Sequence, residues 1–274
     1  MPIPGAEALR RPRAALLDFA PEPSALHGAP CLSGAAMSKP QERRPMNAAA
    51  AGLDIEQARF NMIEQQIRPW DVLDQSVLDL LTVVRREDFV PPEFRSLAFT
   101  DMEIPLRVDG ADTGERMFPP RMEARFLQEL GVRPHDQVLE VGAGSGYMAA
   151  LLAHKAQHVT SIEIDERLAR FAQANLKRNG IGSVSVTVGD GSRGWPGRAP
   201  YDVIMISGSL PVLPDGLREQ LKIGGRLGVI VGDSPVMSAQ VITRVSESAF
   251  STLRLFETDV PPLRNALRPS SFRF

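Results

Sequence analysis

The sequence predicts an α/β fold: a mostly parallel, seven-stranded sheet flanked by helices, with a helical segment before it and antiparallel strands at its end. Three observations carry that prediction. After Gly131, strand-length apolar runs at 137–141, 158–164, 183–188, 202–207 and 225–231 alternate with helical patterns at 146–154, 166–178 and 214–221, the order that builds βαβ units and a parallel sheet. Two further runs, 237–245 and 250–258, have no helix between them, and Phe250, Thr252, Arg254 and Phe256 mark the second, so an antiparallel pair is expected there. The first strand runs straight into Gly142-Ala143-Gly144-Ser145-Gly146 and then a helix, a junction that brings backbone amides close to a ligand.

The elements before the sheet follow from local signals. Residues 1–50 hold 8 of the 23 prolines and 12 alanines with no sustained apolar period, a composition that favours a disordered tail, or an upstream start with Met37 or Met46 as initiator. They lack the apolar core and small-residue cleavage site of a secretory signal. Order is expected from Asp54, where Asp-Ile-Glu-Gln reads as a capping-box-like start. Ile55, Ala58, Met62, Ile63 and Ile67 then form a helical stripe that ends before Pro69. A second helix from Asp74 carries Val77, Leu78, Leu81 and Val84 on one face, and a third over 119–130 is closed by Gly131. The expected division is a tail at 1–50, a helical cap at 51–131 and a ligand-binding core at 132–267.

Composition narrows the function classes. Among 274 residues, 31 Lys and Arg stand against 33 Asp and Glu, a net charge of −2, which gives no electrostatic footprint for nucleic acid or an anionic membrane. That balance hides +2 in residues 1–50 and −4 in the rest. One cysteine, Cys31, excludes a disulfide within the chain and argues against a Cys-based zinc site. His135, His154 and His158 have no metal-ligand spacing with other donors, so no metal is expected. No window approaches a membrane span, and a cytoplasmic protein is expected.

The chemistry concentrates at three strand ends. The glycine loop is GxGxG, with Glu140 two residues before its first glycine. Glu163 closes the second strand, 21 residues after Gly142, where a carboxylate accepts hydrogen bonds from ribose hydroxyls. Asp190 closes the third in Val188-Gly189-Asp190-Gly191, suited to a turn or to an adenine amino group. All three converge on the carboxyl edge of a parallel sheet, where open α/β folds bind ligands. A dinucleotide needs a pyrophosphate cradle, beside which Glu140 is unhelpful. S-adenosylmethionine carries an ammonium and a sulfonium, which the extra acid suits, and is the favoured ligand.

These residues resemble the Rossmann-like class I S-adenosylmethionine-dependent methyltransferases, and within them the protein-L-isoaspartate O-methyltransferases. The resemblance spans roughly residues 56–264. It rests on Ala58 to Ile67, Val84-Arg85-Arg86-Glu87-Asp88-Phe89-Val90-Pro91, Val138 to Tyr147, Gly189-Asp190-Gly191 with Gly194-Trp195, Ala199-Pro200-Tyr201-Asp202 and Gln220 to Leu227. It implies that Glu140, Gly142, Gly144 and Gly146 hold the methionine end of the cofactor, Glu163 the ribose and Asp190 the adenine, with Ala143, Ile164 and Gly191 also in the cofactor site. It also implies methylation of the α-carboxylate of isoaspartyl residues in damaged proteins, a group already ionised at neutral pH, so that catalysis is mainly alignment in a dry site.

The substrate side departs from the family. Where it has a Ser-x-Pro-His-Met-like segment, this chain reads Phe118-Pro119-Pro120-Arg121-Met122. Phe118 replaces the serine and Arg121 the histidine, so the usual carboxylate contact is gone and the catalytic residues are left unassigned. Arg121 becomes a candidate clamp, since guanidinium geometry suits a carboxylate, or else an exposed residue in the first turn of a helix. Ser207-Gly208-Ser209, after the fourth strand, either faces the pocket or forms a polar turn. The alternatives are a methyltransferase for a different carboxylate or small molecule, and a non-catalytic S-adenosylmethionine-binding protein. The oligomeric state has no signal in the sequence.

Overall fold

The computed structural model describes residues 54–268, all within one compact unit. The expected tail at 1–50, with Cys31, lies outside the described residues. Helix α1 (Ile55–Met62) starts at Asp54, whose carboxylate accepts from the Gln57 amide at 3.2 Å. The reciprocal half of the capping box is not made, because the Gln57 side chain donates to Asn61 instead. The chain continues through a wide turn, Ile63–Ile67, and a tight one, Arg68–Trp70, which accommodates Pro69. Met62, Ile63 and Ile67 are buried, whereas Ile55, at the outer end of the stripe, is exposed. Helix α2 (Gln75–Val83) is capped by Asp74 and buries Val77, Leu78 and Leu81.

A hairpin follows where only helices were expected. Strands β1 (Ile104–Val108) and β2 (Ala111–Met117) pair antiparallel about Asp109-Gly110, both of which have positive φ, as a tight two-residue hairpin turn demands. The described part of the expected helical cap, residues 54–131, therefore mixes helices with a hairpin. Strand β2 escaped the apolar pattern because Met117 alone among its residues is buried. Helix α3 (Pro120–Leu130) then runs to Gly131, which caps it with φ 51°.

The main sheet contains β3 (Gln137–Val141), β4 (His158–Glu163), β5 (Val184–Val188), β6 (Tyr201–Leu210), β7 (Leu221–Asp233), β8 (Val236–Arg244) and β9 (Phe250–Thr258). Their order is β5-β4-β3-β6-β7-β8-β9. The first five are parallel, while β8 and β9 form an antiparallel meander on β7. Helices α4 (Tyr147–Lys155), α5 (Glu166–Arg178) and α6 (Asp215–Glu219) make the crossovers. Helix α6 is shorter than the pattern at 214–221, because Leu221 already pairs with Tyr201 as the first residue of β7. The order in which strands are added reverses between the parallel neighbours β3 and β6, and that switch point opens a crevice at the carboxyl edge.

Buried charges tie the N-terminal helices to this frame. The Arg86 guanidinium pairs with Glu123 of α3 and donates to the carbonyls of Ala98, at 3.0 Å, and Phe118, at 2.7 Å. Both members of the pair are buried, and the Arg86 guanidinium also lies over the Tyr147 ring. Arg59 of α1 pairs with Glu87 in the same way.

Candidate active site

The switch-point crevice is lined by the glycine loop after β3, the ends of β4 and β5, the hairpin, and the segment after β9. Its outer chamber, about 550 Å³ with its open mouth, meets Gly142, Gly144, Glu163, Ile164, Asp190 and Gly191. An inner chamber of about 310 Å³ is walled by Glu140, Ala143, Ser145, Phe118, Glu123 and Met148. Leu106, Arg116, Gly142, Gly144 and Ser207 border both, so the two lie side by side with these residues as a common wall. The expected ligand-side residues thus converge, except Gly146, which underlies the loop as the N-cap of α4.

Each acid has a distinct environment. Glu140 is fully buried on the central strand, accepting hydrogen bonds from Ser161 at 2.5 Å and Ser207 at 3.4 Å. Burial pushes its carboxyl up to about 8, against those hydroxyls and with the charge of Glu163 adding to the rise. Glu163 accepts from the Gly144 amide at 2.9 Å and the Asp165 amide at 3.0 Å. It therefore locks the glycine loop to the end of β4, and each oxygen keeps a lone pair for a further donor. Burial raises this carboxyl as well, opposed by the two amides. Asp190 is exposed and accepts from the Ser192 amide at 2.9 Å and Asn265 at 3.0 Å. Partial burial opposes its ionisation, yet those hydrogen bonds hold it below the usual carboxylate range.

The glycines are there for want of space as much as for rotation. A Cβ on Gly191 would stand 2.7 Å from Val141 Cγ1, closer than any real side chain tolerates, so the loop after β5 packs directly on the core strand. Gly142 has φ 93° and would bring a Cβ within 3.1 Å of the Ser207 carbonyl. Ser207 thus faces the crevice, whereas Ser209 turns away and donates to the Val260 carbonyl at 3.0 Å. Residues 260–266 cross the mouth as a strap, pinned by the Leu263 amide on the Ser209 carbonyl at 2.9 Å.

The substrate-side residues divide. Phe118 walls the inner chamber, but Arg121 lines neither chamber. Its guanidinium is 3.0 Å from Asp101 and lies 3.9 Å over the Trp70 ring, so the structure does not bring it to the other site residues. Sequence reasoning missed Arg116, Leu106, Leu263 and Arg264, all of which border the crevice. The Asp109-Gly110 turn was the available signal. It implies a hairpin whose second strand, leading into Phe118, carries Arg116.

A family model described as Protein-L-isoaspartate(D-aspartate) O-methyltransferase matches residues 57–260. The chain belongs to that family. A protein-L-isoaspartate O-methyltransferase of Rhodopseudomonas palustris is 40% identical over 206 residues, covering 75% of this chain and 92% of its own. One from Staphylothermus marinus is 36% identical over 218 residues, covering 76% and 95%. A solved protein-L-isoaspartate O-methyltransferase superposes with a TM-score of 0.65 at 25% identity, covering 78% of this chain and 67% of its own. A Plasmodium falciparum structure assigned to the same methyltransferase type, in complex with S-adenosyl-L-homocysteine, superposes with a TM-score of 0.64 at 19% identity, covering 76% and 97%; at that identity it supports the fold.

The residues present fit the family's cofactor, S-adenosylmethionine. A buried carboxyl with only hydroxyl partners, Glu140, calls for a cation. Two further acids with spare acceptor capacity, Glu163 and Asp190, line the outer chamber with close-packed glycines between them. A pyrophosphate, by contrast, would meet Glu163 and Asp190, and of the two arginines on that wall Arg264 is already paired with Glu115 and Asp165, leaving Arg116 alone to offset them.

Proposed function

We propose that this enzyme transfers a methyl group from S-adenosylmethionine to the α-carboxylate of isoaspartyl residues in damaged proteins. Membership of the family supports the reaction. The observation that carries it in this chain is the placing of Glu140, Glu163 and Asp190, with the glycine loop, around two chambers that share Leu106, Arg116, Gly142, Gly144 and Ser207 as walls. In this reading Glu140, Gly142, Ala143 and Gly144 hold the methionine end, Glu163 and Ile164 the ribose, and Asp190 and Gly191 the adenine. Gly146 sets the bend from which the loop enters α4. Residues 54–131 supply the acceptor side, and 132–267 the cofactor side.

When bound, S-adenosylmethionine would supply an electrophilic methyl group on a sulfonium, with the thioether as leaving group and a neutral methyl ester as the product of a carboxylate acceptor. No proton has to move, so the protein's part is to hold and to exclude water. Leu106, Phe118 and Met148 provide apolar wall in the inner chamber. The Arg86–Glu123 pair fixes the Phe118 carbonyl, and with it the start of α3, against that wall.

Phe118 favours a second reading, a methyltransferase for a different carboxylate, because it offers no hydroxyl to the acceptor. Transfer of a labelled methyl group to an isoaspartyl peptide, beside its aspartyl control, separates the two: selective labelling supports repair, and equal, negligible labelling of both contradicts it. No helix among the described residues is long and apolar enough to cross a membrane, and a cytoplasmic setting accords with substrates that are aged cellular proteins.

A further inference from the structure

With Phe118 at the acceptor side, some other group must recognise the anion. Four arginines stand nearby, and their partners distinguish them. Arg86 is buried, its guanidinium occupied by Glu123 and the carbonyls of Ala98 and Phe118. Arg121 is held by Asp101 and Trp70 outside both chambers. Arg264 lines the outer chamber, but Nε donates to Glu115 at 2.8 Å, Nη1 to Asp165 at 3.4 Å and Nη2 to the Thr113 carbonyl at 3.2 Å. Arg116 alone of the four borders both chambers. It is exposed, and its ion-pair partner among the described residues is Glu103, at the long distance of 3.9 Å.

We propose that Arg116 binds the carboxylate of the methyl acceptor where the two chambers meet, and thereby sets the preference of this enzyme for an anionic acceptor. The proposal rests on the isoaspartyl reading above. A guanidinium engaging one carboxylate oxygen leaves the other free to attack. When that oxygen forms its bond to the methyl carbon, the C–S pair stays on sulfur and the acceptor becomes a neutral ester. The ester has lost the charge that Arg116 held, and Glu103 stands 3.9 Å away as the replacement partner. Because the acceptor's charge declines toward the transition state, Arg116 contributes more to holding the substrate than to the chemical step. It is a substrate-binding residue that leaves its mark on KM rather than kcat.

The test uses the full chain and its Arg116→Gln and Arg116→Lys variants, with an isoaspartyl peptide as acceptor. Calorimetry gives the peptide Kd on protein saturated with S-adenosylhomocysteine, and methyl transfer gives KM and kcat. Arg116→Gln should raise Kd and KM about ten- to hundredfold, with kcat within about threefold of wild type. Arg116→Lys should recover part of the affinity, and S-adenosylhomocysteine affinity and thermal midpoint should not move, which excludes misfolding. Unchanged Kd and KM in Arg116→Gln, in a wild type that labels the isoaspartyl peptide, overturn the role of Arg116 and leave the repair reading standing. A wild type that labels neither the isoaspartyl peptide nor its aspartyl control overturns both.

Discussion

Glu140 is the residue on which the cofactor side turns. A carboxyl sealed in the central strand and raised to about 8 binds a proton that the unfolded chain has already lost near pH 4.5. Its burial therefore subtracts stability as pH rises from about 4.5 to about 8 in the ligand-free protein. A cation seated beside it reverses the preference and drives the proton off. Binding of S-adenosylhomocysteine at pH 7 should then release about one proton, measurable by calorimetry in buffers of different ionisation enthalpy. Glu140→Gln should abolish that release and weaken binding; release that persists in the variant would assign the proton elsewhere, the raised Glu123 being the next group in the chamber. The sequence made Glu140, Glu163 and Asp190 legible because strand ends and glycine spacing fix their places. Arg121 and Arg116 were harder: a residue type suggests a clamp, but which guanidinium is left without close partners is a property of the packed structure.

At the scale of elements, Asp165 joins α5 to the strap. As N-cap it accepts from the Arg167 amide at 2.9 Å, and it also receives Arg264 at 3.4 Å. Hydrogen bonds from Arg167, opposed by partial burial and aided by its charge and that of Arg264, hold the Asp165 carboxyl down at about 2. Asp165→Ala should cost about 1–2 kcal/mol of stability, read from urea denaturation at pH 7. A depressed carboxyl stabilises the fold above its unfolded pKa near 4, and the contribution fades as pH falls toward about 2. The gap between wild type and variant should narrow across that window. The strands and helices after Gly131 were readable in the sequence because Val- and Ile-rich strand segments of five to ten residues alternate there with helical patterns. The β1–β2 hairpin was not: Ala111 to Arg116 face solvent or the crevice rather than the core, so no apolar alternation announces the strand.

The whole molecule depends on the N-terminal helices and hairpin closing the acceptor side of the crevice. Arg86 carries much of that union through Glu123 and the Phe118 carbonyl. Arg86→Ala would leave a buried carboxyl without its cation, for which about 3–5 kcal/mol is the expected loss; a thermal midpoint within a degree or two of wild type would show the pair to be dispensable. The expected cap and core form one unit over the described residues, with the cofactor and acceptor sides on either side of the crevice. The most direct test of the account is methyl transfer from labelled S-adenosylmethionine to an isoaspartyl peptide and its aspartyl control. The account predicts that the isoaspartyl peptide alone is labelled, with label that alkali releases as a methyl ester does. Equal and negligible labelling of both peptides, by protein that binds S-adenosylhomocysteine tightly, would contradict it.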